Sequence, residues 1–245
     1  MAINLEMPRK LQAVIEKGHQ GAAEMLRPIS RKYDLAEHTY PVELDTLANL
    51  FEGISGAKTI SFAGAEAFVA GADDGKTANV NGGNMSALLN ALEISWGDVA
   101  LMLSVPRQGL GNAAISSVAT PEQLERLGKD VWAAMAITEP GFGSDSAAVS
   151  TTAVLDGDEY VINGEKIFVT AGSRATHIVV WATLDKSMGR AAIKSFIVPR
   201  DHPGVSVERL EHKLGIKASD TAAIRFDNAR IPKENLLGSP EIQVE

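Results

Sequence analysis

Residues 150–172 read "STTAVLDGDEYVINGEKIFVTAG". Runs rich in Val, Ile, Tyr, Phe and Thr are divided there by Asp156-Gly157 and Asn163-Gly164. Such dipeptides favour tight hairpin turns because Asn, Asp and Gly tolerate φ > 0. The spacing predicts three successive strands. Downstream, "HIVVWATL" (177–184), "AIKSFIVP" (192–199), "GVSVERL" (204–210) and "AAIRFDNARIP" (222–232) continue the pattern, each bounded by turn residues. Strands at this spacing, with no helices between them, predict an antiparallel β-sandwich or barrel.

Upstream the period changes. In "LQAVIEKGHQGAAEML" (11–26), Leu11, Val14, Ile15, Ala22, Met25 and Leu26 recur at helical spacing. "PVELDTLANLFEG" (41–53) repeats it, with Pro41 early and Gly53 as a stop. "GNMSALLNALEISWGDVALMLSV" (83–105) is apolar on more than one face, which predicts a helix buried inside a bundle. "TPEQLERLG" (120–128) carries a Thr cap, Pro at the first position, Gln at the third and a closing Gly. Residues 54–83, rich in Gly, Ala, Asn and Asp, read as loop with one short helix at most. The expected fold is α+β and multidomain: an all-α N-terminal domain over 1–132, then the β domain over 133–245.

Composition narrows the function. Hydrophobic residues make up 45% of the 245, enough for a substantial core. The absence of cysteine excludes disulfides, thiolate catalysis and Cys-ligated metals. A net charge of −8 and a pI near 5.2 argue against general nucleic-acid binding. No run approaches 18 consecutive apolar residues, so no membrane span is expected. The start, "MAINLEMPRKLQAV", has neither an apolar signal core nor a transit pattern, so the expected location is the cytoplasm. His19, His38, His177, His202 and His212 are scattered without metal-ligand spacing, and no metal site is expected.

The chemistry-bearing residues gather at the domain boundary. "VWAAMA" (131–136) runs into "ITEPGFGSD" (137–145). Pro140, Gly141 and Gly143 force an irregular loop, which can turn several N–H groups toward an anion or a polar cofactor edge; an ordinary strand-to-loop corner fits as well. Glu139 reads as a general base or as a structural and positioning group. "GFGSDS" fails the full dinucleotide pattern and follows no βαβ unit. Lys213, Lys217 and Arg225 form a modest basic stretch, suited to an anionic ligand or to a solvated face.

Four motifs in order, "TEPGFGSD", "NGEKIFVTAG" (163–172), "KLGIKASDT" (213–221) and "FDNARIPKENLLG" (226–238), resemble the acyl-CoA dehydrogenase family of flavoenzymes. The resemblance covers most of the chain and is most specific from Ala136 to Gly238. It implies FAD between the β domain and a C-terminal helical domain that these 245 residues do not contain. It implies that Met135, Ile137, Thr138, Gly143 and Ser144 line the cofactor. The Ile137 backbone and Thr138 hydroxyl would meet the flavin's polar edge, and Gly143 and Ser144 the pyrophosphate. Ser144 would also touch the acyl-CoA substrate. Phe168 would pack on the flavin ring, with Val169 beside it and Thr170 near the reactive N5. Two positions depart from the family pattern: Phe142, where a small residue is commoner, and Phe168, where many members have Trp.

The implied activity is FAD-dependent α,β-dehydrogenation of acyl-CoA thioesters, with electrons passed to an electron-transfer flavoprotein, in a homo- or hetero-oligomer. No residue here matches the catalytic base, a glutamate of the further domain, so these two domains alone are expected to be inactive. The sequence leaves open a fragment of a longer dehydrogenase, an acyl-CoA oxidase, a noncatalytic flavin- or acyl-CoA-binding subunit of a heteromer, and a scaffold without ligand.

Overall fold

The computed structural model describes residues 9–55, 83–107, 109–128 and 130–241. Most of the Gly/Ala-rich stretch at 54–83 lies outside them. The chain divides into two compact units, residues 1–105 with 214–218, and residues 106–213 with 219–245.

The first unit is helical. α1 (Arg9–Gly21) runs through a π turn, Ala22–Leu26, into α2 (Arg27–Leu35); α3 (Glu43–Ser55) and α4 (Gly83–Leu103) follow. Leu26, Tyr33, Leu44, Leu47, Ile94 and Leu101 form its core. α4 differs from the expected buried helix. Ile94, Ala100 and Leu101 are buried, but Met85, Leu88, Leu92, Trp96, Val99 and Leu103 form an exposed stripe at three- and four-residue intervals. The apolar faces legible in its sequence are thus not all inside this unit. Nor is it one continuous helix: Asp98 is extended (φ −172°, ψ 120°). Its carboxylate accepts from the Leu101 N–H at 2.9 Å and from the Ser30 hydroxyl, so it caps a second helical segment. Met85–Ser104 has the length and mean hydropathy, 1.2, of a membrane-crossing helix. Glu93 and the break at Asp98 interrupt it.

The second unit opens with α5 (Leu110–Val118) and α6 (Pro121–Leu127). α6 has the expected capping box: the Thr120 hydroxyl accepts from Gln123 N, and the Gln123 side chain accepts from Thr120 N. Seven strands follow: β1 (Ala133–Ala136), β2 (Thr152–Asp156), β3 (Glu159–Thr170), β4 (His177–Thr183), β5 (Ile193–Pro199), β6 (Val205–Leu210) and β7 (Thr221–Pro232). They form one mixed sheet, ordered β1-β4-β2-β3-β7-β6 with β5 also on β4.

This corrects the antiparallel sandwich in two respects. β4 pairs in parallel with β1 over four residues and with β2 at Thr183↔Thr152. Turn dipeptides report hairpins between sequence neighbours. They are silent on β1, which meets β4 only after the β2–β3 hairpin has carried the chain back. Further, 150–172 holds two strands rather than three. Asp156-Gly157 does make a turn, with Gly157 at φ 64°. Asn163-Gly164 instead lies inside β3, where Asn163 opposes two residues, Asp227 and Asn228, of a bulge in β7 that shifts the register. Gly164 has φ 156°, and a Cβ there would lie 2.4 Å from Thr151 Oγ1. The glycine serves a close approach rather than a reversal of the chain.

Both faces of β4 are covered. Ile178, Val180 and Ala182 join the main core with Ile162, Phe196, Ile224 and Phe226. Val179 packs on the opposite face with Ile115 of α5, Ala133, Ile197 and Leu237. This explains the uninterrupted apolar run in "HIVVWAT".

Candidate functional site

β1 and β2 lie end to end along one edge of β4. The chain between them, 137–151, must leave the ladder there, and it carries "ITEPGFGSD". Thr138 O accepts from Ile167 N at 2.9 Å, which ties the loop to β3. Glu139 and Phe142 then exchange N–H···O bonds of 3.0 and 3.1 Å, closing a tight turn. Gly141, Phe142, Gly143 and Ser144 are exposed.

Beneath the loop is a buried ion pair that the sequence did not suggest. Lys166 Nζ donates to Glu139 Oε1 at 2.8 Å and to Ile137 O at 3.0 Å. The two side chains are 0% and 2% exposed. Glu139 Oε1 also accepts from Thr151 N (2.9 Å) and Oγ1 (2.6 Å). Its Oε2 accepts from Ser150 N (2.8 Å) and Oγ (2.5 Å). Burial alone would push the Glu139 carboxyl up; the Lys166, Ser150 and Thr151 donors outweigh it and hold it at about 2. Burial pushes Lys166 down. With both oxygens occupied and so low a proton affinity, Glu139 is a structural anchor and not a general base. The signal for Lys166 was parity. It shares the inward side of β3 with Tyr160 and Ile162, but a lysine in an alternating pattern is normally counted as outward.

The structure brings the sequence-predicted residues together in two groups joined by the Thr138–Ile167 bond. One is Met135, Ile137 and Thr138, all partly exposed, with exposed Gly143 and Ser144. A Cβ on Gly143 would lie 3.8 Å from Thr138 Cγ2, so the loop folds back over Thr138. The other is Phe168, Val169 and Thr170. Phe168 is 59% exposed at φ 58°, a conformation that costs a bulky residue energy. A second irregularity in the β3–β7 register, between Lys166 and Val169, turns this ring outward. The Val169 side chain is buried in the core, and its carbonyl accepts from Gly172 N at 3.2 Å. Thr170 is partly exposed where β3 ends. There Ala171, also left-handed at φ 60°, donates to Asp220 O. Asp220 Oδ2 accepts from Ser173 N (2.9 Å) and Oγ (2.8 Å), fixing the turn after Thr170. Of the basic stretch, Lys213 donates to Ser219 O and to Thr221 Oγ1, so it braces this turn.

The arrangement offers hydroxyl and backbone donors beside an exposed aromatic ring held in a strained conformation. It suits a flat ligand with a polar edge.

Residues 134–229 match the acyl-CoA dehydrogenase middle-domain family. The short-chain specific acyl-CoA dehydrogenase of Rattus norvegicus is 49% identical over 105 residues, 43% of this chain and 26% of that protein. The acryloyl-CoA reductase (NADH) of Anaerotignum propionicum is 32% identical over 245 residues, 96% of this chain and 58% of that protein. A chain in the structure of the electron transferring flavoprotein of Acidaminococcus fermentans superposes with a TM-score of 0.74 at 29% identity, covering 97% of this chain and 60% of that one. This chain spans 26% of the rat dehydrogenase, 58% of the acryloyl-CoA reductase and 60% of the Acidaminococcus chain. Relatives of this family are FAD-dependent flavoproteins. By the family match, residues 134–229 are a middle domain of the acyl-CoA dehydrogenase family.

Proposed function

We propose that this chain supplies the flavin-binding half of an FAD-dependent oxidoreductase acting on acyl-CoA thioesters. The observation that carries the reading is the pairing of Thr138 with the exposed, left-handed Phe168 through the Thr138–Ile167 backbone bond. Phe168 offers a stacking face. Thr138 and the N–H groups of its loop face the polar edge of the ring system, and Thr170 lies toward its redox centre. Gly143 and Ser144 take the pyrophosphate, and Ser144 also meets the thioester ligand. Bound FAD would accept or donate hydride at the acyl β-carbon. What the chain contributes is binding, orientation and fixed donors, each worth about 1.5–3 kcal/mol toward a charged edge. Glu139 is spent inside the protein, so the base that exchanges the α-proton lies outside the described residues in this reading.

The direction of the reaction follows the electron partner. Likeness to the rat dehydrogenase supports oxidation. The match to acryloyl-CoA reductase along nearly the whole chain favours, as a second reading, reduction of the unsaturated thioester by the same site. Exchange of electrons with an electron-transfer flavoprotein is supported by the likeness to the Acidaminococcus chain.

The test is FAD titration of the full-length protein purified from its source, followed by anaerobic addition of saturated and α,β-unsaturated acyl-CoA thioesters. Saturable flavin binding, then bleaching by the saturated series or reoxidation of reduced flavin by the unsaturated one, is expected. Failure to bind FAD would reject the assignment.

A further inference from the structure

We propose that Lys166 polarises the peptide between Ile137 and Thr138, making the Thr138 N–H a strengthened donor to an anionic ligand edge. The role rests on the flavin reading above, and its test separates the two. The Lys166 ammonium lies 3.0 Å from Ile137 O. The Ile137 carbonyl and the Thr138 N–H share one conjugated plane, and the bond is trans, so the N–H points away from the cation. A charge on the oxygen draws electron density from the nitrogen, and hydrogen bonds in such a chain strengthen one another.

The partner charge does not cancel this effect at the loop. Glu139 turns its carboxylate toward the N–H and hydroxyl groups of Ser150 and Thr151, four donors besides Lys166. The end of the pair facing Ile137 is the cationic one. Nor is the ion pair needed merely to attach the loop, because Ile167 N already bonds Thr138 O. An apolar pair of similar volume would commonly be as stable as a buried ion pair. What an apolar pair cannot supply is a cation behind the Thr138 amide. The residue is a positioning and tuning group; it touches no ligand.

The experiment compares wild type, the charge-neutral double variant Glu139→Gln/Lys166→Met, and Lys166→Arg, which keeps a buried cation. The readouts are FAD affinity in both redox states and the amide ¹H and ¹⁵N shifts of Thr138 without flavin. In the double variant the ratio of reduced to oxidised flavin affinity should fall about tenfold, the gap between a charge-assisted and a neutral hydrogen bond. That is about 30 mV for a two-electron couple. The Thr138 ¹H resonance should move upfield. Lys166→Arg should recover most of both effects. Should the double variant not fold, wild type still decides: the Ile137 carbonyl ¹³C resonance should be shifted downfield and coupled to the Lys166 ammonium. A folded double variant that binds FAD with unchanged potential and an unchanged Thr138 amide overturns the relay alone. A wild-type protein that binds no FAD overturns the flavin reading and this role with it.

Discussion

Acid should release the anchor beneath the loop, and the structure sets how much stability goes with it. In the folded chain the Glu139 carboxyl is held at about 2, against an ordinary value of 4.5. A depressed folded value means that the stabilisation is complete above the unfolded value. It is lost as pH falls from about 4.5 toward about 2. At 1.36 kcal/mol per pH unit the contribution is about 3 kcal/mol. Other carboxyls also titrate here: Glu43, in the helical unit, is held at about 2 by Lys32 and Tyr33. The informative quantity is therefore the difference between wild type and Glu139→Gln. At pH 7 the variant leaves Lys166 buried without its counter-charge and should be about 3–5 kcal/mol less stable. By pH 3 that gap should have narrowed by about 2 kcal/mol, because the unfolded carboxyl takes up its proton there while the folded one is still ionised. Urea unfolding at pH 7, 5, 4 and 3, read by tryptophan fluorescence and β-sheet circular dichroism, measures it. A gap that stays constant from pH 7 to pH 3 would refute the assigned ionisation.

Phe168→Gly should stabilise the fold by about 1 kcal/mol, since glycine adopts φ 58° without strain and the exposed ring gives up little packing, while FAD affinity falls; calorimetry and flavin titration would show the opposed changes. Gly164→Ala should cost at least about 2 kcal/mol, because its Cβ meets Thr151 Oγ1 at 2.4 Å, and should weaken flavin binding by disturbing a Glu139 ligand. Denaturation and flavin affinity should therefore fall together. Thr138→Val should leave stability within about 0.5 kcal/mol of wild type, but weaken flavin binding or lower its potential; an unchanged affinity and potential would count against the donor role. Thr170→Val should slow flavin reduction more than it weakens binding, as stopped-flow mixing would show.

Local chemistry made much of this legible. The α6 capping box and the Asp156-Gly157 turn are decided by neighbours within four residues, and both stand where the residues indicate. The place of Asn163-Gly164 inside a strand was not legible, because the same dipeptide serves a turn or a close approach. The difference lies in Thr151, thirteen residues from Gly164 and on another segment. The parallel β1–β4 pairing and the open stripe on α4 escaped for the same reason: each depends on what lies opposite in space. The loop was visible from its Gly, Pro and hydroxyl content, and Thr138 and Phe168 from the motifs around them. Lys166 was hidden because only a buried partner makes a strand lysine face inward, and the structural role open to Glu139 did not name its partner.

The position of the site follows from the sheet. Two strands share one edge of β4, so the segment between them leaves the ladder and must find other partners for its polar backbone. Part of that demand is met inside the protein: Thr138 O goes to Ile167, Ile137 O to Lys166, and Glu139 and Phe142 to each other. A loop satisfied in this way on its inner side can be rigid while Gly143 and Ser144 stay exposed. Rigidity matters because donors held in place before a ligand gains charge need not reorganise when it does. The ion pair is therefore best understood with the gap it lies beneath. Replacing it with an apolar pair could preserve the fold, but not the field at the Thr138 amide.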